Sequence, residues 1–225
     1  MVDMEDERMD RWVKSITCVC LISFVLCGCG ESGTKAETQE PAALDAAAGT
    51  EIEVVKDGSI VETINEEFGE EYYDETNLRD ILLDEVESFN QGQEGADIVV
   101  DRFENADGRL TVRMKYPSAD AYTAYNTDSY NHKTLFCGTV AEAQGKGYDF
   151  DISMTDAKGE KTIGKEDILG MGSSKILIAE FPARVKVSGK ILYVGENVAV
   201  SGKNQANMQP DENGEASGRY YIIYK

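Results

Sequence analysis

Hydrophobic and polar residues alternate in two stretches that each contain a turn signal, and each stretch predicts a β-hairpin. In the first, Asp57-Gly58 separates two runs rich in β-branched residues: Ile52, Val54, Val55 and Ile60, Val61, Ile64. In the second, residues 105–108 separate Ile98-Val99-Val100 from the alternating Leu110, Val112, Met114 and Tyr116. Asp-Gly between two such runs favours a tight connection of antiparallel strands.

Apolar residues at spacings of three and four predict a helix between the two hairpins. Asp74 suits its N-cap and residues 91–95 end it, with an inward face of Leu78, Ile81, Leu82, Val86 and Phe89. A second, short helix opens at Pro117–Asp120 and runs to about Tyr125. Thr139 and Glu142 have capping-box spacing and open a third, which stops at Gly145 or Gly147.

The second half of the chain predicts mostly strands. Tyr148, Phe150 and Ile152 alternate with polar residues, and further apolar runs are 135–138, 176–178, 185–187, 191–194, 198–200 and 220–224. The polar, turn-rich residues 201–218 predict a loop. Strands that bracket two or three helices predict an α+β fold with a largely antiparallel sheet.

An uncharged, mostly apolar run from Ser15 to Leu26 precedes this region. Its length of about a dozen residues is short for a membrane span, which needs roughly twenty, but fits the apolar region of an export signal. Arg11 and Lys14 supply the positive flank, whereas residues 3–10 are acidic. Translation from Met9 would give a basic start, Met-Asp-Arg-Trp-Val-Lys, and N-terminal sequencing of the precursor tests this hypothesis.

The apolar run ends in Leu26-Cys27-Gly28-Cys29. Here the sequence resembles the signal peptides of bacterial lipoproteins, whose lipobox is Leu, a small residue, Gly or Ala, and an essential Cys. Cys27 replaces the usual Ser or Ala but is similarly small. The resemblance implies that residues 1–28 are removed and that Cys29 takes up a diacylglyceryl group as a thioether, with acyl chains such as palmitate. The alternatives are a plain secretory signal and a short membrane helix; Cys20 is a poorer acceptor because Val19 before it is not small.

Residues 29–49 are small and polar, so they cannot bury enough surface to fold by themselves and predict a disordered tether. Residues 50–225 then form a single extracytoplasmic α+β domain. This organisation predicts a protein held by its lipid on the outer face of the cell membrane.

Charge narrows the classes of partner. The chain has 42 acidic and 22 basic residues, a formal net charge of -20. Removal of residues 1–28 takes away five acids and three bases, which leaves 37 and 19. Such a body repels phosphate backbones, so we expect no nucleic-acid partner. The single histidine, His132, argues against a multi-histidine metal centre, and we expect neither metal nor cofactor.

Two sets of residues are the candidates for chemistry. Asp149 and Asp151 would share one face of a strand and so could serve a hard cation or a glycosidase pair, but the solvated face of an amphipathic strand is the simpler interpretation. Cys137 is the one cysteine beyond residue 29, and His132 precedes it by five residues, which allows a Cys/His nucleophile pair. Leu135 and Phe136 beside it instead favour a buried, inert thiol.

Eleven tyrosines raise the possibility of an aromatic groove for a glycan or a lipid. The candidates are Tyr72, Tyr73, Tyr122, Tyr125, Tyr220, Tyr221 and Tyr224. Ordinary packing in sheet and helix is the simpler interpretation.

After the anchor and tether, the two-hairpin opening resembles surface lipoproteins of Gram-positive bacteria that have no assigned activity. The runs Lys56-Asp57-Gly58-Ser59 and 185–190 (Val-Lys-Val-Ser-Gly-Lys) are similar to the LppM-like lipoprotein domain. This resemblance carries no catalytic motif. The sequence therefore predicts a lipid-anchored binding or envelope-associated domain that is not an enzyme; an envelope hydrolase using acidic residues or Cys137 is one alternative, and a lipid or glycolipid carrier is another.

Overall fold

The computed structural model describes residues 49–69, 74–127, 133–210 and 218–225. In these ranges the chain forms an α+β fold dominated by two sheets. The strands are β1 Gly49–Val54, β2 Ile60–Glu67, β3 Val99–Ala106, β4 Arg109–Tyr116, β5 Leu135–Thr139, β6 Met154–Asp156, β7 Thr162–Ile163, β8 Lys175–Ala179, β9 Ala183–Lys186, β10 Ile191–Val194, β11 Val198–Val200, β12 Gln205–Met208 and β13 Tyr220–Tyr224. The helices are α1 Glu75–Gly92, α2 Ala119–Tyr125, α3 Val140–Gly145 and α4 Lys165–Leu169.

The seven-stranded sheet has the order β11-β12-β9-β1-β2-β4-β3, and the six-stranded sheet has the order β5-β8-β13-β10-β6-β7. Neighbouring strands are antiparallel except β1 and β9, which pair in parallel. The largely antiparallel α+β fold predicted from the sequence is therefore confirmed.

The six-stranded sheet is buried on both faces. In β13, Tyr220, Ile222 and Tyr224 face a core shared with the seven-stranded sheet and helices α1 and α2. Tyr221 and Ile223 face a second core, which α3 and α4 close with Val140, Ala143 and Ile168. A strand buried on both sides needs a continuous apolar run, and this explains the sequence Tyr-Tyr-Ile-Ile-Tyr.

The two hairpins and the helix caps form as the sequence predicts. β1 pairs with β2 and β3 with β4, and positive φ angles at Gly58 and Gly108 make the two connecting turns. The Asp74 side chain accepts the Asn77 N–H at 3.0 Å. Thr139 and Glu142 form both arms of the capping box.

Three local predictions are wrong. Residues 148–153 are not a strand, because the Tyr148 N–H donates to the Ala143 carbonyl at the end of α3 and the Asp151 N–H donates to the Asp149 side chain. The predicted loop at 201–218 contains β12, where only two small or flexible side chains, Ala206 and Met208, face the core. Helix α4 was not predicted, because its five residues are too few to show a helical repeat of apolar positions. With it, the described ranges contain four helices rather than two or three.

Candidate functional site

Several candidate residues lie outside the part of the chain that the structure describes. They are Cys29, which is the predicted lipid acceptor, His132, and Tyr72 with Tyr73. The predicted Cys/His pair thus has only its cysteine in the described ranges.

Cys137 lies in β5, opposite Leu177 of β8, with its thiol packed against the core between the sheets. Part of the residue is accessible to solvent, but the sulfur is desolvated. That burial, with a smaller effect from Asp120, raises the pKa of the Cys137 thiol to about 12. A protonated thiol is a poor nucleophile, so this environment argues against the hydrolase alternative.

Thiol reactivity checks this environment. Native Cys137 should react with a thiol reagent at pH 8 about a thousandfold more slowly than the same thiol in the unfolded chain, because a pKa near 12 instead of 9.0 leaves a thousandth of the thiolate. The measurement is the rate at which the reagent labels the protein with and without denaturant. The Cys137→Ser variant gives the background labelling to be subtracted. Equal rates in the two states would contradict the buried environment.

Asp149 and Asp151 do not form the face of a strand. The Asp151 N–H donates to Asp149 Oδ1 at 2.9 Å, and the Tyr221 hydroxyl donates to the Asp149 carbonyl at 3.0 Å. Both aspartates are exposed, so their arrangement is that of a surface turn rather than an assembled carboxylate pair. Within the described ranges, no group of three or more His, Cys, Asp and Glu residues is placed to hold a metal ion.

The five candidate tyrosines that the structure describes are packed in the cores and are not arranged around a groove. Tyr122, Tyr220, Tyr221 and Tyr224 are all buried in the two cores, and Tyr125 is partly buried against the first. Ordinary packing is thus the correct interpretation for these five. The space between the sheets is occupied by large side chains such as Tyr116, Tyr122 and Tyr220.

A buried carboxylate that sequence reasoning missed lies at the centre of the first core. Glu62 of β2 is only 1% exposed. The Tyr116 hydroxyl donates to its Oε2 at 2.8 Å, and the Tyr122 hydroxyl donates to its Oε1 at 3.1 Å. Lys133 Nζ lies 4.0 Å from the same Oε1. We call Glu62, Tyr116, Tyr122, Asn126 and Lys133 the Glu62 cluster.

The other members of the cluster hold these donors in place. Asn126 Nδ2 donates to the Tyr122 carbonyl at 3.0 Å and to the Tyr116 hydroxyl at 3.4 Å. The Lys133 ammonium also lies 5.6 Å from the centre of the Phe181 ring, within range of a cation–π contact. The cluster therefore joins β2, β4, helix α2 and the residue that leads into β5.

One signal in the sequence could have found this cluster. Ile60, Glu62 and Ile64 alternate along β2, so Glu62 occupies a core position between two isoleucines. A carboxylate at such a position needs donors, and tyrosines with buried hydroxyls are suitable ones. No local pattern in the sequence indicates which tyrosines these are.

Burial controls the ionisation of the tyrosines in the first core. Desolvation, and next the charge of Glu62, raise the pKa of Tyr116 and of Tyr122 well above 10. Desolvation also raises the pKa of Tyr224, with Cys137 as the second cause. Chemically, the Glu62 cluster is a closed set of satisfied partners, and it suits a structural role better than turnover.

These pKa shifts predict unfolding at alkaline pH. A tyrosine whose pKa is raised by folding stabilises the protein fully below its unfolded pKa near 10, and this stability is lost as the pH rises toward the folded value. Each such tyrosine should lower the free energy of unfolding by about 1.4 kcal/mol per pH unit above 10. The phenolate absorbance that belongs to these buried tyrosines should appear together with the loss of the near-ultraviolet circular dichroism. Tyr122→Phe should make the loss of stability less steep, and ionisation of every tyrosine in a protein that keeps its near-ultraviolet signal would contradict the burial.

An open groove of about 460 Å³ lies at one end of the seven-stranded sheet. Arg113 and Lys115 of β4 line one part of it, and Glu53 of β1 and Asp97 line another. Lys115 and Arg113 both pair with Asp101, at 2.5 and 3.6 Å, and Lys186 pairs with Glu53 at 2.8 Å. The groove is therefore lined by charged side chains, most of which are neutralised by these ion pairs.

Comparisons with known proteins give no relative. No protein family, curated protein or solved structure matches the chain. The helices in the described ranges are all too short or too polar to cross a membrane.

Proposed function

We propose that the protein is a lipoprotein anchored through Cys29 on the outer face of the cell membrane, with an α+β domain that binds a partner or supports the envelope without catalysis. The observation that carries this proposal is the sequence Leu26-Cys27-Gly28-Cys29 directly after the apolar run of residues 15–26. Two acyl chains, at about 0.8 kcal/mol for each buried CH₂, would hold such a protein stably, whereas one chain binds only marginally.

Two features of the domain support the non-catalytic part. The thiol of Cys137 has a raised pKa, and Asp149 and Asp151 lie in an exposed turn. The large side chains between the sheets also leave the lipid-carrier alternative without an observation in its favour. A binding domain needs only a stable scaffold and an exposed surface, and the two-sheet fold supplies both.

Membrane fractionation of the native protein tests the anchor. The protein should remain in the membrane fraction after washes with high salt and with alkaline carbonate, and it should enter the detergent phase in a phase-partition experiment. Release by salt alone would indicate a peripheral protein, and recovery in the cytosolic fraction would contradict the proposal.

A further inference from the structure

Strand β3 forms one edge of the seven-stranded sheet, and within the described ranges only β4 pairs with it. A two-residue turn, Asp107-Gly108, with positive φ at both positions joins the two strands. In such a hairpin the residues next to the turn, here Ala106 and Arg109, exchange both backbone hydrogen bonds, and every second residue repeats this pattern. Glu104 therefore bonds to β4, whereas the backbone N–H and C=O groups of Phe103 point away from the sheet.

The side chains around Phe103 are complementary to a second copy of themselves. Arg102 and Glu104 flank Phe103 and keep 56% and 49% of their side-chain area exposed although they pair with each other. When two β3 strands lie antiparallel with the two Phe103 residues opposite each other, Arg102 of each copy lies opposite Glu104 of the other. The two Phe103 residues then exchange their free backbone hydrogen bonds. An axis one residue along, at Glu104, would bring two carboxylates together, so charge selects the first register.

Apolar side chains are exposed along the same edge. In the described ranges the large hydrophobic residues that remain exposed are Leu83, at 41%, and Val99, at 52%. Val99 is the first residue of β3. Leu83 lies on the side of helix α1 that faces β3, because Asn90, two turns later on the same side, bonds to both backbone groups of Ile98 at 2.9 Å. A second copy at this edge would cover apolar surface that is otherwise left in water.

The charge of the β3–β4 hairpin allows two copies to approach each other there. Residues 99–116 carry four basic and three acidic side chains, a net charge of +1 (four less three), in a chain whose net charge is -20. Two copies therefore repel each other less across this hairpin than across a surface such as helix α1, which exposes Asp80, Asp84 and Glu87. Salt screens the more distant charges, since the Debye length is about 8 Å at physiological ionic strength.

A β-bulge limits how far a partner strand can extend along this edge. Asp101 has no opposite residue in β4, and the Lys115 ammonium holds its side chain at 2.5 Å. Bulges and fixed charges of this kind prevent unlimited pairing at a sheet edge. The pairing is therefore confined to residues 102–104 of each copy. It is also closed, because a two-fold axis uses the single β3 edge of both copies and leaves no second one.

From these observations we infer that β3 is a dimerisation edge, at which a second copy of this chain pairs antiparallel about a two-fold axis through Phe103. The two seven-stranded sheets then form one continuous sheet. Arg102 and Glu104 charges alternate on one face of the junction, and the two Phe103 rings lie on the other. The inference does not depend on the lipid anchor. A dimer presents each exposed surface twice, which strengthens binding to a partner that has two sites.

Sedimentation equilibrium of the full chain, in a detergent whose density the buffer matches, measures the association. The native sequence should form a dimer whose population rises with protein concentration. Arg102→Glu places four carboxylates around the axis and Glu104→Arg places four guanidinium groups there, so each variant should weaken the dimer by about tenfold or more. Lys158→Glu makes the same change of charge in the exposed turn before β7 and should leave the dimer unchanged.

A mixture of the two charge variants tests the register. A copy with Arg102→Glu and a copy with Glu104→Arg are complementary to each other, so the mixture should recover a dimer about as stable as that of the native sequence. Both changes in one chain should also allow dimerisation. A native sequence that stays monomeric at every concentration, a dimer that the single variants leave unchanged, or a mixture that does not recover the dimer would each overturn the inference.

Discussion

Replacing Glu62 with alanine should lower the free energy of unfolding by about 3–5 kcal/mol, because the substitution leaves two tyrosine hydroxyls buried without their shared acceptor and removes the carboxylate that lies 4.0 Å from the Lys133 ammonium. The side chain of Lys133 is only 10% exposed, so water cannot replace the carboxylate without a rearrangement. Chemical unfolding of the full chain in detergent solution measures the change.

Two further variants make that result interpretable. Glu67→Ala removes an exposed carboxylate from the same strand and should change the stability by less than about 0.5 kcal/mol. Tyr122→Phe keeps the ring and removes one hydrogen bond to a charged group, so it should cost about 1.5–3 kcal/mol even if Glu62→Ala does not fold. An effect of Glu62→Ala as small as that of Glu67→Ala would show that the cluster does not stabilise the fold.

Replacing Cys29 with serine should abolish incorporation of labelled palmitate, because a serine hydroxyl lacks the nucleophilic thiolate that forms the thioether. Metabolic labelling followed by gel electrophoresis measures this directly. The effect is expected to be complete rather than partial, since Cys29 is the only proposed acceptor.

Cys27→Ser is the matched control, because it removes a thiol two residues away and keeps a small side chain at that position. It should leave the labelling unchanged. Label that persists in Cys29→Ser and disappears in Cys27→Ser would assign the lipid to Cys27, and label unaffected by either change would contradict the lipobox.

Elements with a strong local signal could be predicted from the sequence. The β1–β2 and β3–β4 hairpins have alternating apolar residues and glycines at positive φ, and helix α1 has both its period and its Asp74 cap. These signals act within a few residues of each other, so no knowledge of the tertiary structure is needed to interpret them.

The strand predictions were wrong where contacts with distant parts of the chain determine the local structure. The alternation of Tyr148, Phe150 and Ile152 is real, since Phe150 is buried in the second core, but none of the strands that the structure describes pairs with this segment. β12 shows the reverse case: its residues have weak strand character, yet β9 and β11 on either side supply its hydrogen bonds. Side-chain pattern predicts which residues face inward better than it predicts which backbone is paired.

The Glu62 cluster could be predicted from the sequence only in part, for the same reason. The position of Glu62 between Ile60 and Ile64 could have indicated a buried carboxylate. Its donors come from residues 54 and 60 positions later in the chain, and only the fold brings Tyr116 and Tyr122 to it. The proposed anchor is different because all the residues that predict it lie within positions 11–29 and form a linear pattern in the sequence.

Mass spectrometry of the N-terminal peptide of the native protein is the most direct test of the membrane anchor. The expected peptide begins at residue 29 and carries a diacylglyceryl group on the sulfur. A peptide with a free thiol at that position, or one that still contains residues 15–28, would contradict the account.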